Sequence, residues 1–257
     1  MGRNENIQAR GTAAAGMPPF DPRAASRPAP GAAWVLLPVA WCAWLLVWLV
    51  PSFLLAPHLA HPRMWLARDT APAAILVAAA LFLVAVWPFW PALARREANA
   101  AAVSLKWLAL SVLELVMLVA LAAPFVLVAW SVGGQAILAG PLAVTAGVWA
   151  VFGLGLRAAA QMGQGAARWL MLAAALICVG PVILDYVAGE TMGVGFPRLI
   201  DASPIVSGLG LALDGWPQGL WPWIAAVALW PAVGVVLGSL GWWHACRSRH
   251  APSKLGG

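Results

Sequence analysis

Glu114 and Arg157 are charged residues set against long apolar runs, in SVLELVML and FGLGLRAA. A bare carboxylate in hydrocarbon is costly, so Glu114 has to be protonated, paired, or turned toward a polar cavity. It follows Lys106 by eight residues, roughly 12 Å of helix at 1.5 Å per residue, which sets it inside its apolar stretch. Arg157 is its best partner, because the short connection at residues 131–134 predicts that the third and fourth helices lie side by side. Two roles fit such an intramembrane polar pair: a structural ion pair or hydrogen bond, and a charge pair that switches between conformations.

The remaining reactive side chains are sparse. His58 and His61, in HLAH, are weak metal candidates, since two imidazoles normally recruit further ligands and the sequence offers none nearby. No histidine is central in an apolar run, which argues against paired axial haem ligands. Cys42, Cys178 and Cys246 are too far apart for a metal cluster, and two of them lie in apolar runs, where thiols pack as small hydrophobes. Asp185 is expected at the headgroup level and is assigned no chemistry. The chain has no GxxxxGK[ST] phosphate loop, no GxSG serine and no paired aspartates in its apolar runs. The sequence thus predicts no catalytic residue, no cofactor and no enzymatic activity of its own.

The elements that position these residues follow from composition. Of 257 residues, 63% are hydrophobic and only 9% charged, with a mean hydropathy of +0.85; ordinary soluble domains are about 25% charged. A water-soluble globule is excluded. The basic excess, 15 Lys and Arg against 9 Asp and Glu, consists mostly of single residues between apolar runs. It marks loops rather than a nucleic-acid surface.

A spanning helix needs about 20 predominantly apolar residues, and six stretches reach that length: 34–55, 71–90, 107–130, 135–156, 169–188 and 221–243. The predicted class is therefore an all-α polytopic membrane protein, since the alternating pattern of a membrane barrel is absent. Residues 1–33 read as a disordered, Pro- and Ala-rich cytoplasmic tail, 34–245 as the six-helix transmembrane domain and 246–257 as a short cytoplasmic tail. Lys and Arg concentrate in both tails and the even loops, which predicts cytoplasmic termini. Prolines 38, 51, 88, 124, 181 and 231 are expected to kink their helices or free a carbonyl.

Many of the seventeen tryptophans, namely Trp34, Trp90, Trp107, Trp130, Trp169, Trp221, Trp242 and Trp243, sit near span ends, where an amphipathic ring is both buried and hydrated. Trp41, Trp44 and Trp48 differ, being spaced to share one helix face. That stripe suits packing or lipid contact, a lipid-like substrate path, or the flank of a planar cofactor. Gly234, Gly238 and Gly241 form a small-residue face suited to close helix packing, within the chain or between two copies. Between the fifth and sixth spans, residues 189–220 are too apolar for an ordinary loop. The stretch from Pro204 to Leu213 is about 15 Å long as a helix, half the hydrocarbon thickness, which predicts a re-entrant outer hairpin before the last helix.

This pattern resembles the membrane subunit of ABC-2 type transporters over residues 34–245. The resemblance rests on the six spans, the cytoplasmic termini, the outer hairpin and local wording. Residues 147–181, with Gly153, Gly155, the basic turn from Arg157 to Arg168 and Pro181, are similar to the family's fourth and fifth spans. ASPIV, with Ser203 and Pro204, is similar to the element leading into its hairpin. The connection before the third span is shorter than in the family, yet ALARREANAAAVSLK has the mix of an interfacial helix, with Arg95, Arg96 and Glu97 exposed. The resemblance implies that these three contact a separate ATP-binding subunit, or else they are plain topology-setting charges. It further implies a permease subunit of an ATP-driven exporter in the bacterial inner membrane, pairing as a homodimer or heterodimer and moving an amphipathic or hydrophobic substrate outward. The alternative is a non-transporting membrane assembly factor or anchor for a cytochrome or other metalloprotein complex, with His58 and His61 near the cofactor.

Overall fold

Runs of Leu, Ala, Val and Trp with few polar interruptions leave the backbone to satisfy itself, and the helix does so within one segment. The computed structural model describes residues 32–55, 70–91, 104–133, 136–193, 195 and 200–250, and no strand occurs among them. The helices are α1 (Ala32–Leu55), α2 (Thr70–Leu81), α3 (Leu105–Gly133), α4 (Ala139–Ala160), α5 (Gln164–Met192), α6 (Pro204–Asp214), α7 (Leu220–Trp223) and α8 (Trp230–His250). A π-helical stretch, Phe82–Val86, and a 3-10 turn, Trp87–Phe89, extend α2, and a π stretch, Ile224–Leu229, joins α7 to α8. Pro88 and Pro231 stand just beyond these π stretches. Each supplies no N–H to the turn before it, and the widened turn is one way a helix absorbs that loss.

Five helical stretches are long and apolar enough to cross a membrane: Ala71–Phe89, Leu105–Ser131, Ala139–Ala160, Gly165–Thr191 and Leu220–Arg247. The predicted 34–55 span falls on α1, whose apolar portion, Leu36–Pro51, is shorter. The fourth helix begins and ends about a turn later than the apolar count predicts, because Pro141 suits a first turn and Arg157 is buried rather than left at the edge.

Side-chain contacts fix the relative directions. Trp41 meets Phe82 and Trp44 meets Ala78, so α1 and α2 are antiparallel. Trp41 also reaches Leu118 while Trp87 reaches Glu114, so α3 runs against α2. α4 and α8 run parallel and nearly touch: a Cβ on Gly155 would lie 2.0 Å from the Gly234 carbonyl oxygen, and one on Gly241 2.5 Å from that of Ala158. The glycine face of α8 is thus occupied within the chain by α4. α2 is the most buried span, and α3 and α5 are the least. Lys106, Arg168 and Arg247 fall at one end of the bundle, whereas Asp185, Glu190 and Asp214 fall toward the other.

Candidate functional sites

The first site is the ion pair. Gly153 lies one turn before Arg157, and a Cβ there would meet the Leu83 carbonyl at 2.5 Å and the Trp87 ring at 3.3 Å. Its absence lets α4 close on α2 and sets the Arg157 guanidinium 4.8 Å from the Trp87 ring centroid. Arg157 Nη1 then donates to Glu114 Oε2 on α3, and Trp87 Nε1 donates to the same oxygen at 3.1 Å. Both charged side chains are buried, as is Ser111 one turn before Glu114. Arg157 Nε and Ser111 Oγ have no hydrogen-bond partner, so the pair is held mainly by one shared oxygen and the ring. The pairing does not arise from α3 and α4 lying side by side. α3 packs on α1 and α2, α4 packs on α8, α6 and the end of α2, and Trp87 bridges the two charges.

The second site is the foot of α6. Trp149 Nε1 donates to the Pro204 carbonyl at 2.8 Å, Thr145 Oγ1 to the Gly208 carbonyl at 3.2 Å, and Ser203 Oγ to the Cys178 carbonyl on α5 at 2.8 Å. Gly215, just past α6, approaches Leu138, at the start of α4. Hence α6 runs antiparallel to α4, from the middle of that helix to its first residue, and its foot is level with the middle of α5. Gly208 is required where it lies, because a Cβ would enter the Trp149 ring at 2.6 Å. Ser203 holds the N-cap position but makes no cap bond. Its hydroxyl donates instead to Cys178, next to the Ile177 carbonyl that Pro181 leaves without a helical donor.

Beside this foot is an apolar recess of about 440 Å³, open to the side, between residues 176–184 of α5 and the pair Leu229 and Trp230, with Ala202 at its base. The tryptophan stripe on α1 is packing: Trp41 Nε1 donates to the Leu118 carbonyl at 2.8 Å, Trp44 Nε1 to that of Ala78 at 2.9 Å, and the Trp44 and Trp48 rings stand 5.9 Å apart.

The chain matches no family model, no curated protein and no solved structure.

Arg95, Arg96, Glu97, His58 and His61 lie outside the described residues. Of the others, the structure joins Glu114 to Arg157 and places Ser203 and Pro204 together at the α6 foot, away from that pair. Sequence reasoning passed over Trp87, near the end of its apolar run, and Trp149 and Trp230, farther inside theirs. A signal was present, since an indole N–H far from a span end must find a buried acceptor or go without.

Proposed function

We propose that the chain is the membrane-spanning permease subunit of an ATP-driven exporter of ABC-2 type. In this reading α1 supplies the sixth span, both termini are cytoplasmic, and α6 is the inner arm of an outer re-entrant hairpin. The observation that carries it is the reach of α6 to mid-height of α4 and α5, pinned there by Trp149 and Ser203. Irregular backbone at that depth is tolerated only where protein shields it, and the buried face of α6 against α2 and α4 is such a shield. The separation of Lys106, Arg168 and Arg247 from Asp185, Glu190 and Asp214 supports cytoplasmic ends on the basic side.

A permease without a phosphate loop works through a separate nucleotide-binding partner, and two permease subunits, alike or different, would pair with two of these. Among the described residues the buried charged side chains are one Glu and one Arg, paired with each other, which suits an amphipathic or hydrophobic substrate better than an ion or a sugar. The localisation that goes with it is a bacterial inner membrane.

Affinity purification of the full chain from its native membrane should recover a Walker-containing subunit and vanadate-sensitive ATP hydrolysis. Recovery with neither would sink the exporter reading. Charge reversal at Arg95 and Arg96 is expected to leave membrane insertion intact and to lower ATPase stimulation at least several-fold. Unchanged stimulation would remove that loop from the coupling contact.

A further inference from the structure

Lys106, Arg168 and Arg247 stand at one end of the bundle on three different helices, α3, α5 and α8, and each is exposed. Their levels follow from the contacts deeper in the bundle. Lys106 is eight residues before Glu114, and Arg247 is six residues past Gly241, which packs against Ala158 beside Arg157. At 1.5 Å per residue both lie roughly 9–12 Å beyond the ion pair. Arg168 starts nearer the pair, and its long stem lets the charged head reach outward. No carboxylate answers these three: among the described residues the acid nearest this end is Glu114, which is buried and held by Arg157.

Exposed indoles accompany the charges. Trp169, next to Arg168, is 73% exposed, and Trp242 and Trp243 are half-exposed about one turn before Arg247. The Arg247 guanidinium lies over the Trp243 ring, 4.0 Å from its centroid. A ring holds the cation in place without neutralising it, and a guanidinium so held can still fork two oxygens of a phosphate. Free phosphate would satisfy the charges and leave the indoles in water. An anionic phospholipid covers both, with its phosphate on the cations and its upper acyl chains against the rings.

From this placement we infer that the basic end of α3, α5 and α8 is a docking surface for anionic phospholipid, with Arg247 on Trp243 as its anchor and Lys106 and Arg168 extending it around the bundle. The inference needs the membrane-spanning helices alone. It goes beyond the exporter reading and survives that reading's failure.

The full chain in detergent is titrated with dioleoylphosphatidylglycerol or dioleoylphosphatidylcholine, which differ only in head group, and the first-lipid dissociation constants are read by native mass spectrometry. Phosphatidylglycerol should bind at least about fivefold more tightly, the effect of one cation near an anionic surface, and the gap should narrow as ammonium acetate is raised. Arg247→Gln should weaken phosphatidylglycerol about fivefold and leave phosphatidylcholine unchanged. Trp243→Leu, which keeps the charge and an apolar side chain, should weaken it about threefold. The triple variant Lys106→Gln, Arg168→Gln and Arg247→Gln should erase the preference.

Equal binding of the two lipids by the wild-type chain would overturn the proposal and leave the cations to an acidic protein partner or to topology alone. A full preference in the triple variant would overturn it as well, because the lipid would then be held by bases elsewhere in the chain. If the triple variant does not fold, the two single variants at exposed positions decide: wild-type affinity for phosphatidylglycerol in both rejects the surface.

Discussion

The ion pair and the foot of α6 both bury polar groups in an apolar bundle, and they do so by opposite means. At the pair, side chain meets side chain: Arg157 and Trp87 converge on one carboxylate oxygen of Glu114. At the foot, Trp149, Thr145 and Ser203 each donate to a backbone carbonyl. The first arrangement depends on two charges cancelling, so losing either partner strands the other. The second divides the load over three neutral bonds, and losing one leaves two. The pair should therefore be brittle and the foot graded, which suits a fixed joint toward one end and an adjustable wedge at mid-height.

The largest effect is expected where the contrast is sharpest. Arg157→Met leaves a buried carboxylate with only Trp87, and breaking a buried pair on one side costs about 3–5 kcal/mol. The double variant Arg157→Met with Glu114→Leu removes both charges and should recover most of that loss, since apolar replacement of a whole buried pair is often near neutral. Unfolding midpoints in mixed dodecylmaltoside and SDS micelles would show it. A double variant as unstable as the single one would mean that the charges are not what couples α3 to α4.

The next variant asks whether the two sites are independent. α4 carries Arg157 at one level and Trp149 and Thr145 at another, and Gly155 between them sets its distance from α8. Gly155→Ala puts a methyl group against a backbone carbonyl that cannot swing aside, an overpacking cost of about 1–3 kcal/mol. Both sites should loosen together, seen as faster hydrogen exchange around Glu114 and around α6. Gly147→Ala, where a Cβ meets nothing within 4 Å, should be neutral or gain up to about 1 kcal/mol from helix propensity. Loosening confined to one site would show that α4 does not link them.

The same contrast explains what the sequence made legible. The helical class, five of the spans and the meeting of Glu114 with Arg157 follow from hydropathy and from the cost of lone buried charge, quantities that side-chain identity carries directly. The route of that meeting was not legible, because Trp87 reads as one more apolar residue and the closeness of α4 to α2 depends on Gly153. At the α6 foot the acceptors are carbonyls, which every residue has, so Cys178 and Gly208 carry no mark in the sequence. Ser203 before Pro204 reads as a helix start, and the α6 boundary follows from it. That its hydroxyl would leave the cap for another helix could not be read from spacing.

That detail gives the smallest and most specific prediction. Ser203→Ala would ordinarily mix two losses, a cap and a tertiary bond. Here the cap bond is absent already, so alanine removes only the donation to Cys178. The expected cost is about 1 kcal/mol, the net contribution of a neutral hydrogen bond. It should appear as roughly fivefold faster amide exchange confined to residues 205–213, with the global unfolding midpoint nearly unchanged because Trp149 and Thr145 still hold the helix. Adding Thr145→Val should accelerate the same amides again by a similar factor, as separate bonds on one rigid element do when neither replaces the other. If Ser203→Ala instead lowers global stability as much as Arg157→Met, the foot is as brittle as the ion pair, and the division of the bundle into a joint and a wedge fails.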